Sequence, residues 1–526
     1  MADSSSVSDT VSKHDHVVKP ALDSRVVDVA AHLTAGKEIV LEPEEAARIR
    51  RKIDWHLMPL MCVLYMMQFA DKTTLGQSAV LGLFDGAHID QNQFNWLNTI
   101  FYLFFLGFEY PQNVALQYLP VGKWMSANIF VWSVALLCHA ACTNFGGLFA
   151  CRAFLGICEG AITPGFMIVT SMFYTRKEQS QRVGYWFLMN GAAIIMLGLI
   201  AFGTLHITGG PLEPWQWLMI IFGSITLIVS VLFWFFFPDS PATARFLTPE
   251  ERVLAVERIK VNQAGLENKH WKKEQLIECL MDPKTWFFFF ISAISNVTNS
   301  LSNQRQIIVK GFGFDVKSTT LFGCVDGAVE IIVIFCTVTS ATHWKNGRAY
   351  SASLAYAVAI LGSILVNALP NEKYGLLFSY WISITSIAPF VVVLAWVGGV
   401  TAGHTKRQWL AVFRAHRIST NAIVMIGYAV GNAVGSQYWK VQYQPRNHVP
   451  WAILSACWFT TAVLILILRT YLASQNARRD KEPRDGTYDN VYVNEKSSEG
   501  TVEALKVDKE FLDLTDIQNR DFRYVL

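Results

Sequence analysis

Charged side chains are scarce in this chain and unevenly placed. Only 16% of the 526 residues are Asp, Glu, Lys or Arg, and most of these lie in the two terminal parts and one central stretch. The net charge of +3 is too small to predict a nucleic-acid partner. The nine cysteines show neither metal-ligand spacing nor a disulfide framework. We therefore expect neither a metal nor another cofactor.

Long apolar runs take up most of the remaining chain, in which hydrophobic residues make up 52%. A membrane-spanning helix needs about 20 mostly apolar residues. We predict twelve such spans, at 55–75, 96–118, 124–142, 147–171, 183–204, 215–237, 286–306, 319–340, 349–369, 374–397, 418–439 and 450–472. Trp residues mark several span ends, as is typical of a headgroup boundary. The sequence thus predicts an all-α membrane protein with twelve transmembrane helices in two six-helix bundles.

The placement of Lys and Arg predicts the orientation of these spans, because cytoplasmic loops are enriched in both. In the first half, segments 76–95, 143–146 and 205–214 contain neither residue. The alternate segments contain Lys123, Arg176, Lys177 and Arg182, and 238–285 is rich in both. In the second half, Lys310, Lys317, Lys440 and Arg446 fall on the outer side, but the cytoplasmic segments still hold Lys345, Arg348, Lys406, Arg407, Arg414 and Arg417. We predict that both termini are cytoplasmic.

The chain is predicted to divide into five parts. These are a cytoplasmic N-terminal tail (1–53), an N-terminal six-helix bundle (54–237), a cytoplasmic linker (238–285), a C-terminal six-helix bundle (286–472) and a cytoplasmic C-terminal tail (473–526). We expect both polar tails to be disordered, and no cleaved leader, since the N-terminus lacks an apolar signal core. In the linker, Thr248 and Glu251 form a capping box, and Pro249 suits the first helical position. They predict about three turns of helix, ending before Gly265.

Several short motifs point to one family. They are 71–76 (DKTTLG), 119–124 (LPVGKW), 152–160 (RAFLGICEG), 163–166 (TPGF), 238–241 (PDSP), 244–248 (ARFLT), 282–286 (DPKTW), 310–314 (KGFGF), 402–406 (AGHTK), and Gly427-Tyr428 with Gly431-Asn432. Together they resemble the fungal allantoate-permease group of the anion:cation symporters, in the major facilitator superfamily, over about residues 50 to 472.

The resemblance implies a monomeric transporter in the plasma membrane that takes up a small organic anion, driven by protons. Members of the group take allantoate, ureidosuccinate, nicotinate, pantothenate, small peptides and other carboxylates, and the fold does not choose among them. This sequence departs from the family in two places. Residues Ser302 to Arg305 replace a stretch that more often holds glycine and an aromatic residue, and Gln408 to Arg417 resembles an insertion.

Charged residues inside predicted spans are the candidate site, because a buried charge usually faces a cavity or a partner. Arg152 and Glu159 are seven residues apart and share a helix face. We predict that Arg152 binds the substrate anion and Glu159 carries the proton. The alternative for Arg152 is an anchor at the cytoplasmic end, or a pair with an acid on another helix.

Four further acids and one lysine are candidates. Lys72, near the outer end of the first span, either binds a carboxylate, tuned by Asp71, or forms an interfacial pair with it. Glu109, before Tyr110-Pro111, is either a proton site or stabilises a helix break. Asp326 and Glu330 share a face of the eighth span. Their mutual repulsion favours proton carriage, and burial against a basic residue is equally compatible.

Amide side chains and small residues complete the candidate site. In the seventh span, Ser292, Asn296, Asn299 and Asn303 recur at helical spacing, so they line the cavity or pack on a polar helix. Arg305, just beyond, either draws anions into the outer vestibule or lies in water. In the eleventh span, Gly427, Gly431 and Gly435 form a packing face, while Tyr428 and Asn432, on another face, are candidate substrate contacts.

These observations predict alternating access, in which two halves rock about a central site. A membrane potential opposes anion entry by about 2.3 kcal/mol per charge per 100 mV, and one co-transported proton cancels that cost. Three alternatives remain: a facilitator or exporter of the same fold, a nutrient sensor without net transport, and a membrane enzyme. The enzyme fits worst, because the sequence has no metal cluster, nucleophile elbow or nucleotide loop.

Overall fold

The computed structural model describes residues 42–207, 210–260, 273–401, 420–483, 491–496, 502–507 and 515–526. The first half contains α1 Pro43–Val80, α2 Leu83–Gly86, α3 Gln91–Tyr118, α4 Val121–His139, α5 Phe145–Glu159, α6 Ile162–Phe173, α7 Arg176–Thr204 and α8 Pro214–Phe236. Between the halves lie α9 Pro249–Lys260 and α10 Lys273–Met281.

The second half contains α11 Pro283–Val297, α12 Leu301–Gly311, α13 Val316–His343, α14 Arg348–Ala368, α15 Lys373–Ser383, α16 Ala388–Val400, α17 Thr420–Gly435 and α18 His448–Arg479. Short 3₁₀ helices at Thr298–Ser300 and Ile384–Ile387 join α11 to α12 and α15 to α16, and a third lies at Val441–Tyr443. Described helices therefore lie in each of the twelve predicted spans, and the helical fold is confirmed.

Eight stretches of described helix are long and apolar enough to cross a membrane by length and composition alone. They are Val121–His139, Phe145–Phe173, Gln181–Thr204, Pro214–Phe236, Val316–His343, Arg348–Ala368, Lys373–Val400 and His448–Arg479. The other four predicted spans lie in α1, α3, α11 with α12, and α17, and they carry more polar residues. A polar group within a membrane is tolerated where it faces the protein interior. These four spans supply most of the polar contacts between the halves.

Buried apolar side chains form two clusters. One is built almost entirely from the first half and α9, with Met61 and Trp215 among its fully buried members. The other belongs to the second half, with Phe288 and Trp396 among its buried members. Each half thus has a core of its own, which is the arrangement that lets two bundles move as separate bodies.

The glycine face of α17 packs on α11, as the four-residue spacing predicts. A Cβ at Gly431 would lie 2.2 Å from the carbonyl oxygen of Ala293, and one at Gly435 would lie 2.2 Å from that of Val297. The two helices approach so closely because neither glycine has a side chain. The packing prediction is confirmed, and it fixes which face of α17 turns toward the first half.

Amide and hydroxyl side chains join the halves where α3 begins and α17 ends. Thr99 Oγ1 donates to the Ala433 carbonyl at 2.9 Å, and Asn303 Nδ2 donates to Asn98 Oδ1 at 2.7 Å. We call this set the seam; it comprises Asn95, Asn98, Thr99, Asn303, Gln304, Ser436, Gln437 and Trp439. The seam holds the two bundles together at the end that the sequence predicts to be outside.

The linker helix α9 is 12 residues long and begins at the predicted capping box. Thr248 N donates to Glu251 Oε2 at 3.0 Å, and Glu251 N donates to Thr248 Oγ1 at 3.2 Å. Lys52, on α1, also contacts Glu251, with Nζ 2.5 Å from Oε2. The predicted helix is confirmed, and it is tied to the first half rather than equally to both.

The C-terminal tail is not a disordered segment throughout, and that expectation was wrong. Helix α18 continues to Arg479, and strands β1 Val491–Lys496 and β2 Val502–Val507 form an antiparallel hairpin. Residues 515–526 lie against the second half, where Asp516 is fully buried. Buried polar contacts order this segment despite its polar composition. The N-terminal tail up to residue 41 lies outside the described residues.

Candidate functional site

A central cavity lies between the two halves, with an empty volume of about 1280 Å³ that includes its opening to solvent. Its polar lining comes from both halves: Gln68, Lys72, Glu159, Asn190, Ser295, Asn296, Asn299, Ser302, Arg305, Glu330 and Tyr428. Its aromatic lining comprises Tyr65, Phe69, Phe105, Phe187, Tyr356, Tyr380 and Phe390. A cavity with few charged groups among aromatic ones is suited to a small polar molecule.

Three membrane spans are interrupted at this cavity, and the sequence patterns did not indicate the interruptions. α5 ends at Glu159 and α6 begins at Ile162, while the 3₁₀ helices at Thr298–Ser300 and Ile384–Ile387 interrupt two further spans. Each interruption contributes lining residues, such as Glu159 and Asn299. Irregular backbone inside a membrane is tolerated where it lines a cavity, and discontinuous helices are typical of transporter binding sites.

Lys72 and Glu159 form an ion pair in the wall of the cavity. The Lys72 Nζ lies 3.6 Å from Glu159 Oε1, and both side chains are about nine-tenths buried. Gln68 Nε2 donates to the same Glu159 oxygen at 2.6 Å. The sequence analysis placed Lys72 near the outer end of its helix. That placement was wrong, because α1 continues to Val80. The pair of Lys72 with Glu159 therefore lies inside the protein and not at the membrane interface.

Aromatic rings surround the Lys72 ammonium. Its nitrogen lies 5.0 Å from the ring centre of Tyr102 and 5.8 Å from that of Phe101. Tyr428, on α17, accepts a hydrogen bond from Nζ at 2.8 Å and places its ring 5.5 Å away. Cation–π contacts stabilise a desolvated ammonium. Lys72 thus contacts both halves, and the predicted cavity position of Tyr428 is matched by the geometry.

Asp71 hydrogen-bonds to other helices and not to Lys72, so the interfacial pair, one of the two sequence interpretations, is wrong. Its Oδ2 accepts hydrogen bonds from Trp132 Nε1 at 2.9 Å and from Thr226 Oγ1 at 2.8 Å. Consecutive side chains on a helix point about 100° apart, since one turn takes 3.6 residues. Asp71 therefore binds α1 to α4 and α8 inside the first bundle.

Arg152 and Glu109 lie outside the residues that line the cavity. Arg152 is 1% exposed, and within the described residues its Nε and Nη2 atoms have no hydrogen-bond partner. Glu109 is also buried, on α3. That helix runs unbroken past Pro111 to Tyr118, so the predicted helix break is wrong. The shared face of Arg152 and Glu159 thus brings only Glu159 to the cavity.

In the second half, Arg305 and Glu330 face the same cavity. Arg305 is 6% exposed, lies within α12, and donates from Nε to the Ser302 carbonyl at 3.1 Å. It does not lie in water, which corrects the second of the two sequence interpretations. Glu330 is 1% exposed, and its carboxylate has no hydrogen-bond partner within the described part of the chain. Asp326, one turn away, instead accepts from Tyr380 at 3.1 Å and from Trp381 at 2.8 Å.

The predicted amide stripe divides between the cavity and helix packing. Asn296 and Asn299 line the cavity, and Asn299 Nδ2 donates to Asn432 Oδ1 at 2.7 Å. Asn432 in turn donates to Asn296 Oδ1 at 3.3 Å, while Asn303 belongs to the seam. Both predicted alternatives therefore apply, to different members of the stripe. The predicted insertion, Gln408 to Arg417, lies outside the described residues.

Fold and cavity define a class of protein: a membrane transporter with two helical bundles around a central site. A family model described as Major Facilitator Superfamily matches residues 61–436. The chain belongs to this superfamily, and it is a transporter rather than an enzyme.

Two curated proteins of Saccharomyces cerevisiae are similar along nearly the whole chain. The allantoate permease is 31% identical over 95% of this chain and 90% of its own. The thiamine pathway transporter THI73 is 32% identical over 94% of this chain and 90% of its own length. Among solved structures, the partially occluded inward-open xylose transporter XylE from E. coli matches with a TM-score of 0.58 at 10% identity, covering 78% of this chain and 98% of that one. The last likeness concerns the fold alone.

Proposed function

We propose that this protein is a proton-coupled importer of a small organic anion, of the allantoate-permease group of the anion:cation symporters. The observation that carries the proposal is the Lys72–Glu159 pair in the cavity between the halves, with the two atoms 3.6 Å apart. A lysine that holds a carboxylate can exchange it for a substrate carboxylate. The displaced Glu159 then favours protonation, because a buried charge without a partner is costly.

This exchange couples substrate to proton without any further group. With no substrate, Lys72 neutralises Glu159. With substrate bound, the ammonium serves the substrate anion, and a proton neutralises Glu159. The loaded site then carries no extra charge, so the membrane potential no longer opposes anion entry. Binding of either ligand alone is disfavoured, which is the condition for symport.

The other candidate residues divide by position. Arg305, Asn296, Asn299 and Tyr428 line the cavity and are proposed to contact substrate, with Asn432 holding the two amides. Glu330, also in the cavity wall, is proposed to contact the substrate rather than to carry the coupled proton. Arg152, Glu109, Asp71 and Asp326 lie outside the lining and are proposed to position these groups rather than touch the substrate.

The seam supports a state in which the outer end is closed, given the predicted orientation with both tails and the linker in the cytoplasm. Rocking of the bundles would break the seam and expose the cavity to the outside. A reporter fused at residue 260 that lies outside the cell would contradict this orientation. The plasma membrane is the proposed location.

The test is uptake of labelled carboxylates and ureides by a host that lacks its own permeases, with and without a protonophore. We expect at least one acid to accumulate, and the protonophore to abolish accumulation. Accumulation that survives the protonophore would favour a facilitator or another driving ion. Signalling without any uptake, retained in a Lys72→Gln variant, would favour a sensor.

A further inference from the structure

Unpartnered polar atoms in the cavity wall form a pattern that restricts the substrate further. Among the described residues, Gln68 Oε1, Asn190 Oδ1 and both carboxylate oxygens of Glu330 are buried hydrogen-bond acceptors without a partner. Arg305 Nη1 is a buried donor without one. All four side chains line the cavity and are at least nine-tenths buried. The wall thus offers one cationic donor and several acceptors.

The identity of the free atoms follows from their neighbours. Gln68 Nε2 donates to Glu159 at 2.6 Å, so the oxygen of that amide is the atom left over. Arg305 keeps its charge under all conditions, and its guanidinium fork suits a carboxylate. A buried polar group without a partner is costly, so a ligand that pairs these atoms is favoured over one of the same shape that does not.

We propose, on the basis of the proposed anion transport, that the substrate carries one carboxylate together with N–H or O–H donors. The carboxylate binds between Arg305 and Lys72, where it replaces Glu159. The donors face Glu330, Asn190 and Gln68. An acid without donors leaves these acceptors unpaired and binds more weakly. Arg305 and Glu330 are thereby specificity-determining residues of the second half.

Three probes of nearly equal size separate the parts of this proposal. Succinamate has a carboxylate and an amide, 4-oxopentanoate replaces the amide NH₂ by CH₃, and succinamide replaces the carboxylate by a second amide. Affinities are measured on the purified full chain from the rise in Tm with ligand concentration. We expect succinamate to bind at least about tenfold more tightly than either of the others.

Variants show which residues cause the preference for succinamate. Glu330→Gln should reduce the preference for succinamate over 4-oxopentanoate several-fold, and Arg305→Gln should weaken both acids alike and preserve their ratio. Glu372→Gln is the matched control, because it makes the same substitution at an exposed carboxylate just before α15 and outside the cavity lining; it should preserve the ratio.

Each of the remaining results would overturn a particular part of the proposal. Equal binding of the two acids overturns the donor requirement and leaves anion transport standing. Succinamide binding as tightly as succinamate overturns the anion proposal itself. A preference that survives Glu330→Gln unchanged, or binding of none of the three probes, overturns the assignment.

A second inference concerns the last twelve residues, Thr515–Leu526. Lys284, at the start of α11, is fully buried and is ion-paired with Asp516 and with Asp282, the latter at 2.6 Å. Tyr524 donates to Asp516 Oδ2 at 2.7 Å and accepts from Arg479, on α18, at 3.0 Å. A buried pair of this kind stabilises only when further hydrogen bonds complete it, as they do here.

The same segment reaches a third helix. Trp396, on α16, donates from Nε1 to the Val525 carbonyl at 2.7 Å. Asn476, on α18, exchanges two hydrogen bonds with the Tyr524 backbone, at 2.8 and 2.9 Å. α11 and α16 each belong to a span interrupted at the cavity. The segment therefore links the far ends of two interrupted helices to the continuous α18.

We infer that Thr515–Leu526 is an intramolecular clamp that keeps the second bundle rigid while it rocks, and that transport requires it. Lys284→Asp and Asp516→Lys should each lower the Tm and the maximal uptake rate, and the double exchange should restore part of both. The exposed pair Arg523–Asp480, 2.7 Å apart in the same region, provides the control: Arg523→Ala should have little effect.

Removal of residues 515–526 should reduce maximal uptake per molecule at the surface and leave apparent affinity unchanged. Wild-type Tm and uptake after removal would overturn the clamp. Faster uptake after removal would also overturn it and would make the segment an inhibitory contact.

Discussion

The two halves each contribute one basic and one acidic side chain to the cavity, and the two sets differ in how far they are satisfied. In the first half, Lys72 and Glu159 contact each other, and both have further partners. In the second half, Arg305 donates to a backbone carbonyl, while the Glu330 carboxylate has no hydrogen-bond partner in the described residues. The first set is assembled before substrate arrives, and the second is open to it.

This difference indicates a division of labour. A preformed ion pair must be broken for substrate to bind, and that makes it suitable for coupling. Open polar atoms cost free energy until a ligand pairs them, and that makes them suitable for selection. Variants of the first set should therefore abolish transport, whereas variants of the second should leave transport measurable and change its affinity or its selectivity.

The largest expected effect follows from Lys72→Gln. Removing one member of a buried pair costs about 3–5 kcal/mol, because the remaining charge has no partner. We expect uptake to fall below about one hundredth of the wild-type rate. Arg305→Gln should leave uptake measurable, with apparent affinity reduced about tenfold. Surface abundance is measured alongside uptake for both variants. Equal losses would show that the two sets are not distinct.

Arg152 provides the next test, because it is a buried cation behind the first set and outside the cavity lining. If it acts only by stabilising the neighbouring carboxylates, Arg152→Lys should keep the apparent affinity within about twofold of wild type. Its effect should appear in the pH dependence of uptake. A weakened affinity for acids, with no change in the pH profile, would restore the direct anion contact that the sequence predicted.

The seam decides to which side of the membrane the cavity lined by both sets is open. Asn98→Ala removes the hydrogen bonds of Asn98 with Asn303 and Ser436. We expect a several-fold increase in labelling, from outside the cell, of a cysteine placed at Asn299 in a cysteine-free background. Gln112→Ala is the control, since Gln112 bonds Asn128 within the first half at 2.7 Å. Unchanged labelling in Asn98→Ala would argue against closure by the seam.

The smallest effect is expected at the linker pair Lys52–Glu251, which is also a lysine–carboxylate contact but lies outside the membrane spans. The Lys52 ammonium and the Thr248 backbone N–H lower the pKa of Glu251 from its ordinary value of 4.5. A lowered folded-state pKa stabilises the protein above pH 4.5, and this contribution is lost as the pH falls through the folded pKa. The Tm difference between wild type and Glu251→Gln should therefore shrink below that pH. A difference independent of pH would contradict the pairing.

Most of the fold could be predicted from the sequence, because apolar runs, the glycine spacing of α17 and the Thr248–Glu251 box are local patterns. The interruptions at Thr298–Ser300 and Ile384–Ile387 could not, since their residues continue the polar or apolar pattern of their helices. The docked C-terminal segment was missed because its order depends on the distant Lys284.

The sequence identified many of the residues of the candidate site but few of the contacts between them. Lys72, Glu159 and Tyr428 were found because charges and aromatic groups stand out in apolar spans. The contact between Lys72 and Tyr428 joins residues 356 positions apart, which a single sequence does not reveal. Helix geometry alone could have predicted that Asp71 and Lys72 point in different directions, since adjacent side chains cannot share a face.

The measurement that tests the central claim most directly uses Glu159→Gln in proteoliposomes, with the labelled acid that the uptake screen identifies. Wild type should concentrate this acid when the outside is made acidic, and it should also exchange internal for external acid. Glu159→Gln cannot carry the proton, so it should lose concentrative uptake and retain exchange. A variant that still concentrates the acid, with wild-type dependence on the pH gradient, would contradict the role of the Lys72–Glu159 pair in coupling.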